Sequence, residues 1–324
     1  MTRQVQRIVV GTSLETASDP VVRAALTVRD HTGAEIHLVH GFPLPVVYGA
    51  GLHGGAVVDS QLEADRLRYR RLLEEQLDRI GVSAEIFAGL RLELDSGYRL
   101  LDQVAREVGA DLIVVGASEM RGPLAPLLGS TVDRLLRRAL QPVLVVRGEF
   151  EPPQKVLAPT DLSSLSERAL ADGLQILDRI VEGEDRSFDT DVLFVLSRID
   201  REGSAHFRPE QVDRFARQEL DTFVESFERP GLHPVLRSGI PRQEILAHLE
   251  AHPADLVLLG THGRSGFERF LLGSVTSEVL RRVTTHALVA PSAEAAVVGE
   301  GDSAEDVEDE AGQEAVLAHW SEMA

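Results

Sequence analysis

Residues 110–146 read ADLIVVGASEMRGPLAPLLGSTVDRLLRRALQPVLVV, and residues 254–290 read ADLVLLGTHGRSGFERFLLGSVTSEVLRRVTTHALVA. The two stretches align without a gap at an offset of 144 residues. Shared positions include Gly116/Gly260, Gly122/Gly266, Gly129/Gly273, Ser130/Ser274, Leu136/Leu280 and Leu144/Leu288. This is a duplication, and its period is far too long for a solenoid unit, so each copy is a whole domain.

Working outward, each copy opens with an apolar strand-like run, Arg7-Ile-Val-Val-Gly-Thr-Ser or Lys155-Val-Leu-Ala-Pro-Thr-Asp. A helical pattern follows through Ala24-Ala25-Leu26 or Arg168-Ala169-Leu170, then a second strand at 35–40 or 191–196. Next come a loop and a long amphipathic helix, whose apolar face in the second copy is Val212, Phe215, Ala216, Leu220, Phe223, Val224 and Phe227. A strand, a helix, the glycine-bearing segment, another helix and a last strand complete each copy. Strands alternating with helices predict an α/β fold of two tandem doubly wound domains, each a parallel sheet covered on both faces, with ligands at the carboxyl ends of the strands. The predicted division is 1–148 and 155–291, a linker at 149–154, and a tail at 292–324. Two such domains should bury two cores.

Composition bounds the function. The 324 residues are 43% apolar and contain no hydrophobic run near 18 residues, as in a soluble chain rather than a membrane protein. The start, MTRQVQRIVVGTS, lacks the apolar stretch and cleavage site of a signal peptide, so a cytoplasmic location is expected. The absence of cysteine excludes disulfides, thiolate zinc sites and a cysteine nucleophile. Of the net charge of −19, about half lies in residues 292–324, which carry ten Asp/Glu and no Lys or Arg. Such a run is expected to be a solvated, disordered extension. Within it, Val316, Leu317, Trp320 and Met323 have the spacing of a short docking face. No basic stripe exists for DNA or RNA.

The segment GTHGRSGFERFLLGS at 260–274 follows the apolar strand ending at Leu259 and precedes a helix for which Ser274 or Thr276 is available as cap. Glycines there let backbone N–H groups approach an anion, and the helix N-terminus favours negative charge by roughly 0.3 to 1 kcal/mol. The same glycines also suit an ordinary turn. A P-loop is excluded, because the only lysine, Lys155, lies on a strand without preceding glycines. Gly49-Ala-Gly51-Leu-His-Gly54 satisfies a dinucleotide motif literally, but it follows the second strand and its helix is expected only near Ser60.

Gly260-x-x-Gly263, nine residues, then Gly273-Ser274 resembles the nucleotide-binding signature of the universal stress protein family. The ending Ala158-Pro159-Thr160-Asp161, with the Ser-Glu-Arg-Ala-Leu that follows, is similar to that family's opening. The resemblance covers both copies and leaves out the acidic tail. It implies five parallel strands per domain, an adenine nucleotide α-hydrolase-like fold, and pairing of the two domains through their last strands as an intrachain pseudo-dimer, with a homodimer also open. It further implies ATP, with Mg or Mn compatible with its phosphates. Pro159, Thr160 and Asp161 would hold the adenosine end, with backbone near Ser197. Gly260, Gly263, Gly273, Ser274, Val275 and Thr276 would surround ribose and phosphates.

The first copy departs from this pattern. Glu119 stands in the register of Gly263, and Ser13 stands where the second copy has Asp161. At an effective dielectric of about 20, two like charges about 4 Å apart repel by roughly 4 kcal/mol, against a total of about −8 kcal/mol for micromolar binding. One competent nucleotide site is therefore expected, in the second domain, beside a degenerate and mainly structural partner.

No catalytic set is evident, so the chain is expected to be a binding protein with at most slow ATP hydrolysis. His262 neighbours the cradle and suits either a phosphate contact or a solvated loop. His248 and His252 have the spacing of a helical metal pair, but Ile245, Leu246 and Leu249 define the expected buried face. Two classes remain: an ATP-binding regulatory module of the stress response, and an ATP-independent scaffold that binds protein partners.

Overall fold

The computed structural model describes residues 4–42, 55–117, 128–181, 187–202, 208–261 and 272–291. The first domain runs β1 (Arg7–Gly11), α1 (Asp19–Thr32), β2 (Glu35–Gly41), α2 (Gly55–Ile80), β3 (Gly89–Glu93), α3 (Gly97–Val108), β4 (Leu112–Gly116), α4 (Ser130–Arg138) and β5 (Val143–Val146). The second runs β6 (Lys155–Thr160), α5 (Ser164–Val181), β7 (Asp189–Leu196), α6 (Arg198–Glu202), α7 (Pro209–Glu225), β8 (Leu232–Ser238), α8 (Pro241–Ala251), β9 (Leu256–Gly260), α9 (Ser274–Arg282) and β10 (His286–Ala290).

All ten strands form one sheet in the order β3-β2-β1-β4-β5-β10-β9-β6-β7-β8. Within each half every pairing is parallel, as β-helix-β crossovers require. The halves meet through β5 and β10, which are antiparallel with Leu144 opposite Leu288. The inner strands read as continuous apolar runs because helices cover both their faces. Ile8, Val9, Val10, Leu112, Ile113 and Val114 are all fully buried.

Two apolar cores exist, but the sheet divides them and the linker does not. One face carries α1, α2, α5 and α7, and its core runs from Val22 and Leu77 to Leu177 and Leu220. The other carries α3, α4, α8 and α9, from Leu101 and Leu135 to Ile245 and Leu280. The expectation of one core per domain is thus corrected: continuous hydrogen bonding across β5 and β10 gives both domains the same two faces to bury. At the close approach of α5 to β9, Gly173 leaves no room for a side chain, since a Cβ there would overlap Leu258 Cδ1.

The seam is fastened at its edge by a histidine. The Arg147 N–H donates to His286 Nδ1 at 3.1 Å, which leaves Nε2–H to donate to the Glu149 carbonyl at 3.1 Å. Phe150 meets the same ring edge-on at 5.2 Å. Burial pushes the His286 pKa down, the bond to the Glu149 carbonyl opposes it, and nearby Arg147 adds to the lowering.

Three sequence expectations change in detail. The helix expected near Ser60 begins at Gly55, and the Gly49–Gly54 motif lies outside the described residues. On α7, Ala216, Leu220 and Val224 are buried, whereas Phe215 is 50% exposed and falls off the apolar face. On α8, Ile245 and His248 are the buried residues, with Leu246 and Leu249 only partly covered. His248 is accommodated because its Nε2 pairs with Asp191 Oδ2 on β7 at 2.9 Å, and His252 stacks on its ring at 4.6 Å. Among the described residues no cluster of metal-ligating side chains is present.

Candidate functional site

The carboxyl ends of β6 and β9 lie side by side, in a register that pairs Val156 with Leu256 and Leu157 with Val257. Carried to the strand ends, that register sets Thr160 level with Gly260. This is the switch point of the second domain, where the chain leaves β6 for one face and β9 for the other.

At the β6 end, Thr160 Oγ1 accepts the Leu162 N–H at 3.0 Å and lies 2.9 Å from Ser166 Oγ. Asp161 Oδ1 accepts both the N–H and the hydroxyl of Ser163, at 3.0 and 2.6 Å, so the carboxylate shapes the turn into α5. The turn forces Leu162 to φ 62°, a left-handed conformation costly for a branched side chain. Pro159, Thr160 and Asp161 are all partly exposed at this edge. Ser197 directly follows β7, the neighbour of β6, and its carbonyl accepts the Arg201 N–H at 3.0 Å.

At the β9 end, Thr261 N–H donates to Ala290 and the returning chain re-enters through Gly273, whose N–H donates to the Thr261 carbonyl at 2.8 Å. Gly273 is the N-cap of α9 at φ −52°, and no side chain caps the helix. The expectation of a Ser274 or Thr276 cap is therefore corrected. Ser274 is the exposed first helical residue, and Thr276 Oγ1 instead donates to the Gly260 carbonyl at 2.8 Å. The N–H groups of Ser274, Val275 and Thr276 have no acceptor within the helix, as in any first turn. Gly263, with His262, lies outside the described residues.

The first domain repeats this construction. Leu14 N–H donates to Thr12 Oγ1 at 2.9 Å, Thr12 Oγ1 is 2.9 Å from Ser18 Oγ, and Leu14 has φ 65°. Thr12, Ser13, Leu14 and Ser18 thus stand where Thr160, Asp161, Leu162 and Ser166 stand. Gly129 N–H donates to Ala117, and Gly129 is the uncapped N-cap of α4. A profile described as the universal stress protein family matches residues 4–147 and again residues 153–291.

The chain belongs to the universal stress protein family. A universal stress protein of Mycolicibacterium smegmatis is 29% identical over 291 residues, covering 87% of this chain and 96% of the relative. One from Methanocaldococcus jannaschii is 29% identical over 154 residues, covering 45% of this chain and 86% of the relative, in keeping with a duplicated unit. Among solved structures, a universal stress protein of Archaeoglobus fulgidus superposes with a TM-score of 0.60 at 18% identity, over 89% of this chain and 99% of that one. A putative universal stress protein of Pseudomonas aeruginosa gives 0.61 at 18% identity, over 90% and 95%. These likenesses establish the tandem fold. Among the described residues, no helix of this universal stress protein is long and apolar enough to cross a membrane.

The two domains of this universal stress protein differ in what surrounds the shared frame. In the first, α2 inserts a fully buried Gln76, which accepts from Thr12 Oγ1 at 2.7 Å and donates to Ser18 Oγ and Asp19 Oδ1 at 3.0 and 2.9 Å. Arg79 clamps both Asp19 oxygens at 3.0 Å. Burial raises the Asp19 pKa, but the hydrogen bonds from Arg79 and Gln76 outweigh it and the net shift is downward. Sequence reasoning missed this network, because Gln76 and Arg79 lie three residues apart on a largely polar helix, and nothing local marks Gln76 as buried or Arg79 as the partner of Asp19. Ser13 has no carboxylate to offer, and Glu119 lies outside the described residues.

Proposed function

We propose that the second domain binds an adenine nucleotide, ATP with its phosphates toward the first turn of α9 and its nucleoside end between Asp161 and Ser197, and that the protein is a regulatory module responding to nucleotide. The observation that carries this reading is the α9 N-terminus: a glycine at the N-cap, no side-chain cap and an exposed Ser274, set level with the β6 end. Uncapped amides at a helix start are ready-made donors to phosphate. The donor set is narrower than the motif implies, since the Gly273 N–H and the Thr276 hydroxyl are already engaged. Phosphate contact then falls to the backbone of Ser274, Val275 and Thr276. A divalent ion would be held by the phosphates themselves, because the described residues form no ligand cluster. The Asp161 carboxylate suits the hydroxyl-rich ribose.

Ser13 in place of Asp161 limits the reading to one nucleotide per chain. Calorimetric titration with MgATP should give one site, and Gly263→Glu should abolish it while leaving the fold intact. Two equivalent ATP sites would overturn the assignment of one domain. An absence of bound nucleotide, both in titration and in mass spectrometry of ligand released from denatured protein, would leave the scaffold reading.

A further inference from the structure

Among the described residues the ten-stranded sheet has two edges, β3 in the first domain and β8 in the second. Hydrogen-bond direction decides what each edge offers. On β8, the Thr190 N–H donates to the Gly231 carbonyl at 2.7 Å, so Gly231 faces β7 and, by alternation, Leu232, Pro234 and Leu236 turn their backbone polar groups outward. Pro234 has no N–H to offer there, and its carbonyl already accepts from Arg217 Nη1 at 3.3 Å. This edge is blunted by proline and a capping cation.

The other edge is built differently. The Phe42 N–H donates to the Glu93 carbonyl at 3.0 Å, so Glu93 faces β2. The planar trans peptide that follows points the Leu94 N–H outward, and alternation does the same for both backbone groups of Leu92 and Leu90. The register position that Pro234 holds on β8 is Leu90 on β3, which keeps its N–H.

The side chains along β3 are self-complementary. Leu90 and Leu94 are 39% and 37% exposed, on either side of Leu92, which is half-buried against the core beneath α1 and α2. On the opposite face Arg91 pairs with Glu93 at 2.8 Å and with Glu107 at 2.9 Å. Residues 90–94 therefore alternate apolar, cation, apolar, anion, apolar. A two-fold axis through Leu92 lays this stretch on a second copy with Leu92 opposite Leu92, Leu90 opposite Leu94 and Arg91 opposite Glu93. The same axis brings the outward N–H and C=O groups of the facing leucines into an antiparallel ladder. The neighbouring centres, Arg91 and Glu93, would set cation against cation or anion against anion, which destabilises a strand pair. Charge selects the Leu92 register chiefly by excluding these alternatives, since exposed ion pairs contribute little by themselves.

We propose that β3 is a homotypic interaction surface, through which two copies of the chain pair antiparallel along residues 90–94 and continue the sheet from one molecule into the next. The leucines pack on one face of the new seam, and the Arg91 and Glu93 pairs cross it on the other. A single short strand pair buries less than a permanent interface, so the dimer forms and dissociates with protein concentration. It is separate from the β5–β10 seam within the chain and from nucleotide binding by the second domain.

Sedimentation velocity of the full-length protein, from micromolar to millimolar concentration, reads the monomer–dimer equilibrium. A reversible dimer is expected. Leu90→Pro, which copies the β8 solution, and Arg91→Glu, which sets one glutamate against another, should each weaken it at least tenfold. Combining Arg91→Glu with Glu93→Arg restores opposite charges across the axis and should return the affinity to within threefold of the parent protein. Circular dichroism checks the fold of each variant, and the exposed Arg91 keeps the test open if Leu90→Pro misfolds. A monomer throughout the range would leave this edge to another segment of the chain or to a different partner, and would overturn the proposal. A dimer that neither single variant weakens uses another face and overturns it as well, and no recovery in the double variant would overturn the pairing centred on Leu92.

Discussion

Replacing Gly173 by alanine tests the contact that joins α5 to the sheet. In an exposed helix the change stabilises by about 0.8 to 1.0 kcal/mol, because alanine loses less backbone entropy. Here the new Cβ would overlap Leu258 Cδ1 and lie 2.8 Å from Cδ2 and 3.0 Å from Cγ. Leu258 is 2% exposed, in the middle of β9 opposite Leu288, and has nowhere to retreat. Overpacking of this kind costs about 1 to 3 kcal/mol, so Gly173→Ala should destabilise by a net of roughly 0 to 2 kcal/mol. Leu258→Ala alone should lose about 2 to 5 kcal/mol. In that background the overlap is gone, and adding Gly173→Ala should stabilise by about 1 kcal/mol. The sign of one substitution thus reverses with the state of the other. Urea unfolding of the four proteins, with midpoints compared at constant m-value, measures the cycle. A stabilisation of about 1 kcal/mol by Gly173→Ala in the parent protein, or additivity within about 0.5 kcal/mol, would refute the reasoning.

Three further outcomes are expected. Thr276→Val removes the donor to the Gly260 carbonyl and should cost about 0.5 to 1.5 kcal/mol by urea midpoint; an unchanged midpoint would mean that the first domain's Val132 is an equivalent solution. Asp191→Ala strands the buried His248 Nε2 and should cost about 1 to 3 kcal/mol, with Asp191→Asn losing less because an amide can still pair; equal losses would deny the hydrogen bond any part. For His286, burial lowers the folded pKa below the unfolded value, so its contribution is complete above about pH 6.5. That contribution declines as pH falls from there through the folded pKa. His286→Gln keeps an acceptor and a donor at the seam and should flatten this part of the stability profile; a variant with the parent's acid slope would clear His286 of the effect.

The architecture was legible because it is written twice. Apolar strands buried on both faces leave no polar alternation to confuse them with edge strands, and the gapless match at an offset of 144 residues pairs β4 with β9 and β5 with β10. The seam was accessible only through the family resemblance, since the β5 and β10 sequences look like any other inner strand. Within the site, the strand ends were read in place, while the capping was not: Ser274 has the right chemistry for a cap, but the chain enters α9 one residue earlier, through Gly273. His248 was misjudged because a histidine among apolar residues counts as exposed until the carboxylate that buries it, 57 residues away on β7, is known. The left-handed Leu14 and Leu162 carry no local mark, as nothing about leucine favours positive φ. The cavity at the carboxyl edge of the first domain escaped notice for a related reason. Phe42 just past β2, Tyr69 on α2 and Tyr98 on α3 are apart in sequence and gather only in space.

The antiparallel seam has a geometric consequence. Strands that run in opposite senses on its two sides must end at opposite rims of the sheet, so the two crevices open toward opposite poles of the molecule. No single loop can roof both, and a protein that blocks one mouth leaves the other accessible. Any coupling between the two poles has to pass through the shared strands and the two helical layers packed on them.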